Sequence, residues 1–202
     1  MREELLPHRA WYSITRPDGF IAGSELLTVE RTGAAWHIES ELKTTWPEEI
    51  ATTIDWELDH RLVTRLLRIH SHERFSGDHE LELTVTGNGL LAHRVAPDGP
   101  TQVELGWGPH AELDHLSAAF ATVVVERLDL IPGNALEIDA VQLGTADLVP
   151  AIVPVVVSAA AATGIDWTVV ATGHSTRITT AAAGAIAAYG ELLALDRLEV
   201  SR

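Results

Sequence analysis

Two histidines one residue apart, His70-Ser71-His72, put both imidazoles on one face of an extended segment, a spacing able to chelate a divalent metal. Glu73, Asp78, His79 and Glu80 follow closely, but Arg74 to Asp78 reads as a polar loop, without the later glutamate and histidine that would complete a site. Gly173-His174-Ser175-Thr176 lacks the second glycine of a nucleophile elbow. Gly87-Asn88-Gly89 lacks the third glycine of a dinucleotide turn and reads as a hairpin. Asp55, Glu57 and Asp59 share a strand face, and their regular alternation with apolar residues describes a solvated face rather than a carboxylate pair for acid–base work. No catalytic residue, metal or cofactor is therefore assigned, and a non-enzymatic protein is expected.

Arg127 is the single charge best placed to meet a ligand. Read as part of a strand, it lies beside Val123 and Val125, where a guanidinium can grip a phosphate, sulfate or carboxylate head in bidentate fashion. The competing reading is a salt bridge with Glu126, Asp129 or a neighbouring acidic strand. Tryptophan is over-used, six against three Phe and two Tyr. Trp36, Trp46 and Trp56 fall on apolar strand faces and Trp107 shares a face with Val103 and Leu105, so these rings either pack a core or line a cavity.

The elements that carry these residues are strands. From Ala34 to Val85 the chain alternates apolar and polar residues: Trp36, Ile38, Leu42, Thr44 and Trp46 oppose His37, Glu39, Glu41, Lys43 and Thr45. Ile50, Thr52, Ile54, Trp56 and Leu58 repeat the pattern. Turn signals such as Pro17-Asp18-Gly19, Pro97-Asp98-Gly99, Pro132-Gly133-Asn134, Thr163-Gly164 and Thr172-Gly173 bound the segments. Strands are expected near 8–15, 22–31, 34–46, 50–60, 62–72, 79–86, 89–96, 101–107, 120–130, 135–143, 151–158, 166–172, 175–181 and 184–190. Alanine runs at 158–162 and 180–183, and the stretch 111–121, compete as short helices. The expected class is mainly β, a strongly curved antiparallel sheet with at most one or two short helices, in one domain of 202 residues with 1–6 as a flexible tail.

Composition narrows the partners. A formal net charge of -15 and the lack of a Lys/Arg patch argue against nucleic acid and anionic membrane surfaces. The absence of cysteine removes disulfides and thiolate chemistry. Met1 to Pro7 lacks the apolar stretch of a secretory signal, and the most apolar run, 148–162, is interrupted by Pro150 and Pro154 and too short to span a bilayer; a cytoplasmic protein without stable membrane insertion is expected.

Thr122-Val123-Val124-Val125-Glu126-Arg127-Leu128, the Gly133–Val157 stretch and Gly184-Ala185-Ile186-Ala187-Ala188-Tyr189, with Trp56-Glu57-Leu58-Asp59 upstream, resemble in order the features of a bacterial family described as glycolipid-binding. Ala121 and Val124 depart from that family's asparagine and proline. The resemblance implies a half-barrel like that of bacterial lipoprotein carriers, enclosing an apolar groove for an amphiphile. The ligand-binding set expected from residues and resemblance together is Trp36, Trp46, Trp56, Trp107, Arg127 and Tyr189. A metal-dependent enzyme using His70 and His72, and an oligomeric interaction module, such as a homodimer, with no small-molecule ligand, stand as alternatives.

Overall fold

A computed structural model describes residues 5–46, 48–87, 89–108, 111–160 and 164–201. Asn88 of one expected turn, Thr163 of another, residues 161–162 of an alanine run and residues 1–4 of the expected tail lie outside this set. At its inner end, Leu5 is buried, and the Leu6 N–H donates to the Ala183 carbonyl at 3.2 Å.

Eight strands follow one another as a meander: β1 (His8–Thr15), β2 (Ile21–Thr32), β3 (Ala35–Thr44), β4 (Ile50–Leu58), β5 (Thr64–Glu73), β6 (Gly77–Thr86), β7 (Gly89–Val95) and β8 (Thr101–Gly106). A short β9 (Glu112–Asp114) and helix α1 (Ala118–Leu128) come next. A second meander comprises β10 (Ala135–Leu143), β11 (Pro150–Ala159), β12 (Gly164–Val169), β13 (Ser175–Thr180), β14 (Ile186–Tyr189) and β15 (Leu193–Val200), with a 3-10 turn at Ala182–Gly184. All fifteen join one sheet in the order β8 to β1, then β15 to β9, so the first and last strands pair in its middle. The class expected from the alternation is the one found. Inward positions Ile50, Thr52, Ile54, Trp56 and Leu58 are all buried.

The sheet is curled but not closed. Laid flat, fifteen strands would span roughly 67 Å at a spacing of about 4.8 Å. Yet the chain passes from edge strand β8 to edge strand β9 between Gly106 and Glu112, a reach of at most about 21 Å. Across this seam the Arg94 Nε donates to the Asp147 carbonyl at 2.7 Å, stitching β7 to the β10–β11 connection.

The segment expected as a strand at 120–130 is instead α1. β9 and β10 are parallel neighbours, and parallel pairing demands a crossover of about a dozen residues, which a helix supplies. Residues 118–125 are all buried, so no polar stripe betrays the helical period, and the run Thr122–Val125 favours strand by local propensity alone. Two further strands, β9 and β15, were not marked by turn signals. The strand expected from residue 62 starts at Thr64, because the Asp59 carboxylate accepts the Arg61 and Val63 N–H groups and holds Leu62 at φ 59°.

A carboxylate on the sheet holds α1 in place. Glu25 occupies an inward position of β2 and is almost wholly buried. It accepts the Ala118 N–H at 2.9 Å, the Ser117 hydroxyl at 2.5 Å and the Ser40 hydroxyl of β3 at 2.7 Å. Ser117 itself caps the helix through the Ala119 N–H, and the first turn has no acidic residue of its own. Glu25 thus supplies an acceptor to the helix N-terminus from outside the helix. Burial raises its pKa, and these hydrogen bonds oppose the rise.

Antiparallel order gives the molecule two ends. The connections at 16–20, 45–46 with 48–49, 74–76, 96–100, 144–149, 170–174 and 190–192 share the upper one; those at 33–34, 59–63, 129–134 and 181–185, with the C-terminal end of α1, share the lower. Among the described residues no helix is long and apolar enough to cross a membrane.

Glu25→Ala strands two buried hydroxyls and a helix N–H, so it should cost about 3 kcal/mol or more, lowering Tm by roughly 6–12 °C in a thermal melt. Glu25→Gln, which keeps an acceptor, should lose clearly less; equal losses would mean that the carboxylate charge, not the acceptor, anchors α1.

Candidate functional site

The concave face does not stand open where α1 lies. The helix packs against β2, β3, β9 and β14, and Trp56 meets Phe120 in a tilted contact with centroids 4.7 Å apart. Trp56 is 1% exposed, and its Nε1 donates to Thr64 Oγ1 at 3.1 Å, so this ring is core. Clefts open at both ends: two hold expected ligand residues, and a third of about 630 Å³ lies among Ser24, Lys43, Glu49, His72 and Arg74 at the upper end of the first meander.

At the lower end Leu5, Arg31, Trp36, His60, Arg61, Leu62, Glu126 and Arg127 surround about 310 Å³. Two expected ligand residues, Trp36 and Arg127, meet here. Arg31 lies over the Trp36 ring at 5.5 Å. Being helical, Arg127 does not project from a strand. Its Nη1 reaches the buried carboxylate of Glu112 at 3.0 Å and the Ala111 carbonyl at 2.8 Å. That is the acidic-strand pairing, with β9 as the strand. Burial pushes Glu112 up to about 8, against the pull of the guanidinium.

At the upper end of the second meander a larger cleft of about 590 Å³ opens between β9, β10, β12, β13 and β14. Leu116, Leu143, Val149 and Leu192 supply aliphatic wall, while Asp114, His115, Gln142, Trp167, His174, Thr176 and Tyr189 supply polar and aromatic groups. Tyr189 is the expected residue found here. Among the described residues neither ring nitrogen of His115 makes a well-formed hydrogen bond, although the Thr145 carbonyl lies near, and Trp167 Nε1 finds no partner; all three atoms are buried behind the cleft surface. Burial holds His115 down to about 4, so the imidazole is neutral at pH 7. Burial also raises the Asp114 carboxyl, which accepts from Gln142 Nε2 at 3.2 Å, and raises the Tyr189 hydroxyl, with Asp114 adding to the shift. The cleft thus sets a neutral imidazole and a neutral phenol in an apolar wall, beside the carboxyl groups of Asp114 and Asp147.

The remaining expected residues are dispersed. Trp46 is half-buried in the upper β3–β4 connection, and Trp107 is half-buried after β8, packed on the core. His70 and His72 face solvent and converge on Asp78 at 3.5 and 2.9 Å. Among the described residues no three His, Asp or Glu side chains are grouped to hold a metal ion. Asp55 pairs with His37 at 2.8 Å, as expected of a solvated face.

Sequence reasoning missed Glu25, Asp114, His115 and Trp167. Glu25 carried a signal, an acid in inward register with Leu27 and Val29. Trp167 shares its strand face with Ile165, just as the tryptophans singled out share theirs with aliphatic residues. Asp114 and His115 carried none, because the crossover that buries them is not written in a local period.

Arg127→Met removes the partner of a buried carboxylate and should cost about 3 kcal/mol, whereas Arg61→Ala, on an exposed side chain, should change stability by less than about 0.5 kcal/mol; thermal melts compare them. Glu112 binds its proton more tightly folded than unfolded, so its contribution is complete below the ordinary value of 4.5 and lost as pH climbs through about 8. Glu112→Gln should therefore lose less stability than wild type between pH 5 and pH 8. Parallel profiles would show that Glu112 is ionised throughout.

No family model matches the chain, and no curated protein matches it. Among solved structures it is similar to a DUF1089 family protein from Pseudomonas aeruginosa, with a TM-score of 0.62 and 16% identity over 83% of this chain and 90% of that one. It is also similar to a β-barrel-like protein of the DUF1849 domain from Brucella abortus, with a TM-score of 0.55 and 9% identity over 100% of both chains. At such identities the likeness is one of fold, and the fold shared is an antiparallel, barrel-like β sheet.

Proposed function

We propose that this is a non-enzymatic binding protein for a lipid or glycolipid, held in the upper cleft. The observation that carries the reading is the chemistry of that cleft: aliphatic wall beside an amide and a phenol, with a neutral imidazole and an indole buried just behind them. Hydroxyl groups suit the Gln142 amide and the Tyr189 phenol, since each both donates and accepts. A ring stacked on Trp167 or Tyr189 would add apolar contact to those bonds. The acyl chain would follow Leu143, Val149 and Leu192 inward. Each buried methylene contributes about 0.8 kcal/mol, so a chain of ten or so offsets much of an association cost of about 4–15 kcal/mol. The resemblance to a glycolipid-binding family supports the same reading.

A second reading rests on the lower cleft, where Arg31, His60, Arg61 and Arg127 gather beside Trp36 in a chain of net charge -15. Such a set suits an anionic head, with the chain against Leu5 and Leu62.

One experiment separates them: titration with decyl maltoside and with decyl phosphate, each below its micelle concentration, against wild type, Trp167→Phe with Tyr189→Phe, and Arg61→Ala. The proposal expects decyl maltoside to bind and the aromatic double variant to weaken it about tenfold, which is 1.4 kcal/mol, with Arg61→Ala unchanged. Binding of decyl phosphate alone, lost in Arg61→Ala, would move the site to the lower end. No uptake of either, and a clean apo mass for protein taken from its own host, would end both readings.

A further inference from the structure

The upper end is ringed by apolar side chains that the fold leaves in water. Phe20 and Ile21 on the β1–β2 hairpin are 67% and 73% exposed, and Phe75 on the β5–β6 hairpin is 85% exposed. Trp46 is half-buried on the hairpin between them. Across the mouth of the upper cleft Val149 and Val170 are about half exposed, on the β10–β11 and β12–β13 connections. Lone exposed apolar residues are ordinary; a crown of them on five connections at one end is not. The lower end exposes Leu6, Ile131 and Val200, none aromatic.

Two features of this crown point to its partner. Arg16 lies over Phe20 at 5.8 Å and Arg74 over Phe75 at 5.7 Å, so each outermost ring has a guanidinium beside it. Each guanidinium also meets a carboxylate, Arg16 that of Asp18 and Arg74 that of Glu49 at 3.0 Å, so the layering suits a zwitterionic face, with rings in the acyl boundary and neutral ion pairs at headgroup depth. The connections at this end otherwise carry Asp18, Glu48, Glu49, Asp98, Asp147 and Glu191. Six acids against two arginines leave a formal charge of about -4, which repels an anionic surface and tolerates a neutral one.

We infer that the upper rim docks peripherally on a zwitterionic bilayer face. The three aromatic hairpins and the two valine-bearing connections enter the headgroup layer, and the mouth of the upper cleft faces the lipid. That the docked mouth loads or unloads an amphiphile rests on the function proposed above; the docking surface itself does not.

The test is flotation of the full chain with phosphatidylcholine vesicles, for wild type and for a triple variant, Phe20→Ser, Ile21→Ser and Phe75→Ser. All three side chains are exposed, so an unchanged Tm confirms that the variant is folded. Wild type should float, and the variant's partition coefficient should fall at least about tenfold. Replacing about a third of the lipid by phosphatidylglycerol should weaken wild-type binding at low salt, and added salt should restore it. Wild type that stays with the unbound fraction, or a variant that floats as well as wild type, overturns the proposal. So does a wild-type dimer by sedimentation that the triple variant abolishes, because the rim would then belong to a second copy. Decyl maltoside titrated into the triple variant keeps the two ideas apart: unchanged affinity with lost flotation supports a separate docking surface, while flotation without any maltoside binding leaves docking standing and removes the amphiphile.

Discussion

The carboxylate of Glu25 meeting the N-terminus of α1 is the constraint around which this molecule is arranged. A helix that is apolar on all sides has no solvent face, so it must lie inside, and its first N–H groups must then find acceptors away from water. Glu25 supplies one from the sheet wall, and its remaining capacity takes up the hydroxyls of Ser40 and Ser117. One buried side chain thereby ties β2, β3 and the crossover helix into a single unit. At the other end of the helix Arg127 does the reciprocal work, meeting buried Glu112 where the macrodipole favours a cation.

With the helix inside, a curled sheet of this length cannot enclose a through-going apolar groove. Its interior is divided: Trp56, Phe120 and the aliphatic rows of β3 to β6 form packed core. The clefts that hold the expected residues open where strands end and connections splay. This is why the two clefts lie at opposite ends, and why residues from one nominal binding face, such as Trp36, Trp56 and Tyr189, finish in a lower cleft, a core and an upper cleft respectively. The likeness to two barrel-like proteins reaches the sheet and its curl; the chemistry of each cleft belongs to this chain's own side chains.

Much of the wall was legible because half-buried strands must alternate. Ile50 to Leu58 has every second residue buried, as its pattern requires, and the turns at Gly19, Gly99, Gly133 and Gly173 have the positive φ that such turn signals imply. The candidate site was less legible. Arg127 was recognised as unusual, but its surroundings were misread because a β-branched run inside a protein has the same local signature in a strand and in a fully buried helix. His115 and Asp114 look like ordinary polar residues ahead of an alanine pair; only the parallel pairing of β9 with β10 turns them inward.

From residue order alone follow the strand spacing, which face of each strand is oily, the absence of thiol chemistry and the acidic coat. These are short-range or compositional properties, settled by neighbours one or two positions away. What only the assembled chain decided is which oily surfaces meet each other and which meet water. The pairing of the first strand with the last, the descent of α1 into the curl and the crown of aromatic hairpins at one end all depend on contacts between residues far apart in the chain. No local period records them, because they arise from closing the sheet around a helix rather than from any segment's own preference.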